Sequence, residues 1–512
     1  MNIQAIHSIR GFESSAANAL PNDINTAVTN QEKVLYQFIT NWIQSHSGAS
    51  DSDKAGAMWN ESGQEWQALE NAMRKCPDCT DAYAQAGHAL FQQYAQSISD
   101  AIYSHGAIPQ PGGGPGPGPG PDPGTNDWQS YINKFVEYYP PGSTIDNAQY
   151  ARIKQDDKGG DSTSESLGYA MRMAMQQNPP DKKNFDLFWN FVQKNLDGNG
   201  LMNWHVNDGG TVEANAATDA DQDIAYALCQ AYEQFGKGDP NSSYYKNAMA
   251  MIQAIRTTEI ATPGEQSYPL RPGDVPGGSD TNFFNSSYVD PLAWAEFAKY
   301  DTSHADTWNQ LTTAAIQKVY DLSTRSPNTS GLSPNWSGLR AYSPTDPSDP
   351  NYPLNYGYDA CRTPMRLAEY YKYLNGIQTP TADQKQQMSQ IKEILNKQFK
   401  VFYNNRSQDG GVCSGYSQTG TPLVNYSDSS FNAPVWVAIQ IMDKCGGLDS
   451  SISGVDDADM RTFGNHLGDL VKQKVSGDNY FNASLGVLCE GILSGPQTKR
   501  GVHALRRSLE AV

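Results

Sequence analysis

Three acids in this sequence stand where a helical pattern begins, directly after a loop. They are Glu165 in "DSTSESLGYAMRMAMQQ", Asp219 in "AATDADQDIAYALCQAYEQF" and Asp359 in "NYGYDACRTPMRLAEYYKYL". Carboxyls gathered from distant parts of a chain suit acid–base cleavage of a glycosidic bond. One must stay protonated to supply the leaving oxygen, and another must stay ionised to activate water. The neighbours divide these roles. Glu165 runs into "LGYAMRMAM", and apolar surroundings raise a carboxyl pKa. Asp359 has Arg362 three residues on, on the same helical face, and a cation lowers one. Glu165 is therefore expected as general acid and Asp359 as general base. Inversion at the sugar carbon would set their carboxyls about 6.5–9.5 Å apart. Asp219, Asp221 and Asp223 crowd one helix start, where the dipole favours negative charge. Asp223 reads as a solvated or capping residue, whereas the repulsion around Asp219 asks for a polar partner.

The aromatic residues fit the same chemistry. There are ten Trp and 28 Tyr, and many lie beside Gly, Asn or Pro instead of in apolar stripes: Trp204 in "GLMNWHV", Trp336 in "LSPNWSG", Tyr288 in "NSSYVDP", and Tyr356 and Tyr358 just before Asp359. Sugar rings stack on aromatic planes while their hydroxyls bond to polar rims. Core packing is the competing role for each of them.

These residues need a frame that turns several helix starts toward one face. After residue 126, helical periodicity recurs about a dozen times, separated by Gly, Pro and Asp-rich loops, and strand signals are weak. Twelve helices would make six hairpins closed into a ring, although periodicity alone does not separate a ring from a superhelix. Residues 108–125 hold "IPQPGGGPGPGPGPDPG", which sustains neither a helix nor a strand ladder and reads as a linker. Residues 30–107 carry two amphipathic stripes and read as a small helical bundle, and residues 1–29 as a polar, disordered leader.

Composition removes other classes. A net charge of −18 argues against nucleic acid as partner, since phosphate recognition wants clustered Lys and Arg. The one basic run, "KRGVHALRR", reads as a solvated helix face. No run reaches the roughly 18 apolar residues of a membrane span, and the first residues lack the apolar core of a cleavable signal. For an enzyme of external polymers this suggests secretion by a leaderless route, with the bundle as an export or partner-docking module. A cytoplasmic location is the alternative. Seven cysteines outline no disulfide framework, and the Cys76/Cys79 pair lacks the further ligands of a zinc site. No metal or organic cofactor is indicated.

Seven segments, "TSESLGYAMRMA", "LMNWHV", "ATDADQDIAYAL", "NSSYVDP", "GLSPNW", "GYDACRTPMRLA" and "NASLGVLCEGILSG", resemble in that order the motifs of glycoside hydrolase family 8, over residues about 127–495. The resemblance implies an all-α (α/α)6 barrel that hydrolyses β-1,4 chains with inversion. It implies Glu165 as general acid, Asp359 as general base, Asp219 as holder of the sugar at the cleavage point and Arg362 as partner of the base. Trp204 would be a stacking platform, and Tyr288 would lie near the catalytic water. An Asp at position 359 is the pattern of the glucanase and xylanase branch. An endo-β-1,4-glucanase is expected first, with xylanase or chitosanase as alternatives, and a non-catalytic glycan-binding or secreted interaction protein as a different class. Ser166, Cys229 and Met365 depart from the family pattern.

Overall fold

The computed structural model describes residues 127–494, apart from 237, 275–280, 340–343 and 475–476. The expected leader, helical bundle and linker, the Cys76/Cys79 pair and the basic run lie outside the described residues.

Helices in the middle of a protein must be apolar or small on every side, and those outside on one side only. That distinction sorts the elements. The inner set is α2 (Ser164–Gln176), α4 (Thr218–Ala231), α6 (Pro291–Tyr300), α8 (Thr363–Asn375), α10 (Ser429–Lys444) and α13 (Tyr480–Ser494). In α2 every residue from Ser166 to Met175 is buried, and in α4 every residue from Thr218 to Cys229. Each inner helix packs on the next, and α13 returns to α2, so the ring closes. The outer set is α1 (Asp127–Phe135), α3 (Lys182–Lys194), α5 (Ser243–Thr258), α7 (Ala305–Thr324), α9 (Ala382–Asn404) and α12 (Asp457–Lys474), with a single turn, α11 (Ser450–Ser453), before the last. These back α13, α2, α4, α6, α8 and α10 in that order. The result is the expected (α/α)6 barrel, a ring and not a superhelix.

Close approach of α2 to α4 depends on Gly168. A Cβ there would stand 2.9 Å from the Asp223 Cβ and 3.2 Å from the Ala220 carbonyl oxygen. The first turn of α2 is fixed by Thr163, whose hydroxyl accepts the N–H of Ser166.

Two small antiparallel sheets interrupt the helices. One pairs β1 (Val136–Tyr139) with β2 (Tyr150–Ile153). The other has the order β3 (Ser162–Thr163), β4 (His205–Asn207), β5 (Gly210–Glu213), with Thr163 opposite His205. The second sheet ends where α2 begins, and the N–H of Ser164 donates to the carbonyl of Trp204 at 2.9 Å. Strands of two to four residues are too short to show alternation, so the sequence concealed the device that carries Trp204 to the neighbourhood of Glu165.

Candidate active site

The starts of the inner helices meet at one end of the ring. Glu165 and Asp219 lie in the first turns of α2 and α4. Asp359 does not open α8 itself, as the sequence suggested. It precedes a 3-10 turn, Ala360–Arg362, which leads into α8 at Thr363. Arg362 ends that turn and joins the three acids. Its Nη1 donates to Glu165 Oε2 at 2.7 Å, to Asp219 Oδ2 at 2.6 Å and to the Tyr169 hydroxyl at 3.1 Å, while its Nη2 lies 3.5 Å from Asp359 Oδ1. Arg362 and Asp219 are buried, but the Glu165 and Asp359 side chains keep 23 % and 36 % exposure. Thus the Glu165 and Asp359 carboxyls both reach solvent, held to different nitrogens of one buried guanidinium.

This widens one expectation. Arg362 pairs with Asp359 at 3.5 Å, but Glu165 and Asp219 are its nearer partners, and Asp359 has further donors of its own. Trp336 Nε1 donates to Asp359 Oδ2 at 2.9 Å, and Asn285 Nδ2 donates to Oδ1 at 3.2 Å. Trp336 is only 7 % exposed, so it holds the carboxylate of position 359 instead of offering a sugar-stacking face.

The pKa pattern differs in part from the one read in the sequence. Burial pushes Glu165 up to about 7. Arg362 opposes that shift, and the negative charge of Asp219 adds to it. Asp359 is also raised, again by burial, against the pull of Arg362 and the Trp336 hydrogen bond. The cation alone does not bring it below the ordinary carboxylate range, because Arg362 has nearer acids to serve. Carboxyls that share one cation titrate as a set, so the first proton lost and the last belong to the group.

The other expected residues lie around this centre. The Arg362 guanidinium carbon is 5.5 Å from the centre of the Tyr288 ring, which meets the Trp336 ring edge-on at 5.9 Å. Trp204 is half-buried, with its ring 5.3 Å from that of His205 and with Lys158 Nζ 5.7 Å from it. Tyr358 packs edge-on against Phe431 and donates its hydroxyl to Asp428 Oδ2 at 2.7 Å. Asp223 is neither a cap nor solvated. It is buried and takes Arg172 at 2.7 Å and both terminal nitrogens of Arg366 at 2.6 and 2.7 Å, and Arg366 also meets Asp290.

Sequence reasoning missed Asn285, Tyr169 and Tyr480. The Tyr480 hydroxyl donates to Glu165 Oε1 at 3.2 Å across the seam where α13 closes on α2. Asn285 stands at the head of the quoted "NSSYVDP", so it could have been found there. Tyr480 falls two residues before the last motif, and nothing local marks it.

A ring of helices with three carboxyls around one arginine at its open end defines a class, and comparison with known proteins gives its family. The chain belongs to glycosyl hydrolases family 8, whose model matches residues 123–494. Endoglucanase A of Acetivibrio thermocellus is 30 % identical over 321 residues, which is 61 % of this chain and 59 % of that protein. Endoglucanase 2 of Ruminiclostridium josui is 31 % identical over 238 residues, 45 % of this chain and 48 % of that one. The chain spans about half the length of these relatives. Among solved structures, the beta-1,3-1,4-glucanase from Paenibacillus sp. X4 superposes with a TM-score of 0.54 at 20 % identity, over 72 % of this chain and 90 % of that chain, a likeness of fold. No described helix is long and apolar enough to cross a membrane.

Proposed function

We propose that this chain is an endo-acting, inverting hydrolase of β-1,4-linked glucan. The observation that carries the reading is the placing of Glu165 and Asp359 on opposite nitrogens of Arg362, both open to solvent and with no hydrogen bond between them. The names of the relatives, endoglucanases, support glucan as substrate.

Glu165, protonated up to about pH 7, gives its proton to the glycosidic oxygen as the bond breaks. Asp359 takes a proton from water attacking the opposite face of the sugar, with Trp336 and Asn285 fixing both of its oxygens. The arriving hydroxyl and the departing chain therefore lie on opposite faces, which inverts the carbon. Asp219, locked by Arg362, accepts hydroxyls of the sugar at the cleavage point, and Tyr288 borders the water. Trp204 and Tyr358 supply flat faces further along the chain. Secretion and a docking role for residues 30–107 belong to the same proposal, supported by the external nature of such a polymer.

The test sets soluble cellulose, mixed-linkage glucan, xylan and chitosan side by side. NMR of the first-formed product should give the α-anomer from a β-linked glucan. Glu165→Gln should lower turnover about 10²–10⁴-fold while oligosaccharide binding persists. Release of the β-anomer, or a Glu165→Gln variant as active as its parent, would refute the reading.

A further inference from the structure

Behind Asp219 lies a second group of acids that the hydrolytic chemistry leaves unused. Asp221 follows two residues after Asp219 on α4, and Glu259 caps the end of α5. Asp197 and Asp274 come from the loops after α3 and α5. Asp221 and Glu259 are fully buried. Neither oxygen of Glu259 nor Oδ2 of Asp221 receives a hydrogen bond from a described donor. The Thr218 hydroxyl approaches Glu259 but spends its proton on the Arg271 carbonyl, at 2.8 Å. The Glu259 carboxyl lies within hydrogen-bonding reach of Asp221, as Asp197 does of Asp274.

The remaining oxygens of the group fasten two loops. Asp221 Oδ1 accepts the N–H of Met202 at 3.1 Å, and Asp197 Oδ1 those of Asn199 and Leu201 at 2.8 and 3.0 Å. These hold the loop that ends in Trp204. Asp274 Oδ1 accepts the N–H of Ala216 at 2.9 Å, and its Oδ2 takes the Asn199 amide at 2.6 Å, which holds the loop that ends in Asp219.

Four carboxylates in one place repel one another unless cations or protons intervene. The cations on surrounding elements are committed elsewhere. Arg256 of α5 bonds to Asp301, and Arg271 to Glu265 and the Thr258 carbonyl. Lys194 of α3 lies over the Tyr150 ring, and Lys246 of α5 is exposed. On the helices flanking α4, Arg172 and Arg366 serve Asp223, Arg362 serves Asp219, and Lys299 of α6 serves Glu296. Asp219 and Asp223, the other acids of α4, are therefore neutralised from the far side. Among the described residues no group of His, Cys, Asp and Glu is arranged to hold a metal ion.

We propose that these four acids work as two carboxyl pairs, Asp221 with Glu259 and Asp197 with Asp274, each joined by a retained proton, and that the pairs are positioning residues for Asp219 and Trp204. In each pair one carboxyl donates its O–H to the other, and between Asp221 and Glu259 this supplies a donor to buried oxygens that have no other. The titration behaviour agrees. Burial, then the neighbouring acids, drives Asp221 and Glu259 well above the ordinary range. Burial and the bond to Asp274 push Asp197 up to about 6, while bonds from Asp197, Ala216 and Asn199 outweigh burial and bring Asp274 below its ordinary value. Groups whose folded pKa exceeds the unfolded value of about 4 stabilise fully below that value, and the contribution is lost as pH rises through the folded pKa.

Folding provides a test independent of the hydrolase reading. Thermal midpoints of the full chain are measured from about pH 5 to 8 for wild type, Glu259→Gln and Asp197→Asn, whose amides can donate as the protonated acids do without titrating. The wild-type midpoint should fall across that range; in Glu259→Gln the fall should be shallower throughout, and in Asp197→Asn shallower below about pH 6, while Glu165 and the remaining pair still titrate in each. If Glu259→Gln does not accumulate, the partly exposed Asp197→Asn decides alone. Parallel falls in variant and wild type would overturn the proposal. So would calcium restoring the wild-type midpoint at about pH 8, because the acids would then hold a metal instead of protons. A second readout rests on the hydrolase reading. As pH rises through about 6, KM for a soluble glucan should rise in wild type but stay flat in Asp197→Asn, while kcat, limited by Glu165, falls alike in both at higher pH. Equal KM profiles would remove the positioning role even if the midpoints behaved as expected.

Discussion

At the scale of single residues, the site rests on how differently two carboxyls are held. Glu165 is bound by one cation and one phenol, and burial keeps its proton on to about pH 7. Asp359 is raised too, but two neutral donors and a more distant guanidinium oppose burial there and favour its ionised form. The Trp336 indole N–H is the shortest of those contacts, so Trp336→Phe isolates its effect. A hydrogen bond to a charged group contributes about 1.5–3 kcal/mol, and about 1.4 kcal/mol corresponds to one pKa unit. Without this donor Asp359 keeps its proton to higher pH. The acid limb of the kcat/KM profile should move upward by about one unit, while the alkaline limb near pH 7 stays with Glu165. A profile with both limbs unmoved would show that the indole only fills space.

Between helices, the alignment of α4 with α8 is fixed by two Asp–Arg rungs one turn apart. Asp219 meets Arg362 at 2.6 Å, and four residues on in each segment Asp223 meets Arg366 at 2.6 and 2.7 Å. Only the first rung reaches Glu165 and Asp359. The second is buried, and Arg172, Asp290 and Glu369 complete its charges. Asp223→Ala should therefore act through the frame. Removing it leaves Arg172 and Arg366 facing each other without their common carboxylate, a loss of about 3–5 kcal/mol that calorimetry or denaturant unfolding would register. A loss below about 1 kcal/mol would mean that solvent reaches the network. The first rung was half legible in the sequence: the crowded acids at a helix start asked for a polar partner for Asp219, but Arg362 was read as the partner of Asp359, its neighbour in sequence. The second was not, since an Asp on a helix is ordinarily solvated and nothing local says that α4 is enclosed on every side. The strand pairing that carries Trp204 was hidden by its brevity, and Tyr480 by the distance in sequence over which ring closure acts, whereas Asn285 stood in view within a quoted motif.

For the molecule as a whole, closure is the property on which the site depends. The last inner helix, α13, fills the gap between α10 and α2, is backed by α1 from the beginning of the described segment, and delivers Tyr480 to Glu165. It is tied by other long-range bonds, from the Tyr480 N–H to Asp156 at 3.0 Å and between the Tyr131 and Ser484 hydroxyls at 3.0 Å. Every described partner of the three carboxyls falls between Glu165 and Tyr480. The two ends of the chain should thus differ sharply in what their removal does. A chain starting at residue 126 keeps all thirteen described helices, and its thermal midpoint and kcat on a soluble glucan should match those of the full chain. A chain ending at residue 474 lacks one of six inner helices and leaves the apolar flanks of α2 and α10 in water. At about 25 cal/mol per Å² of apolar surface, that loss exceeds the roughly 5–15 kcal/mol by which domains are stable. It should yield no cooperative unfolding transition and no hydrolysis. A shortened chain that still melted cooperatively would mean that five hairpins suffice and that the ring is closed for the chemistry alone.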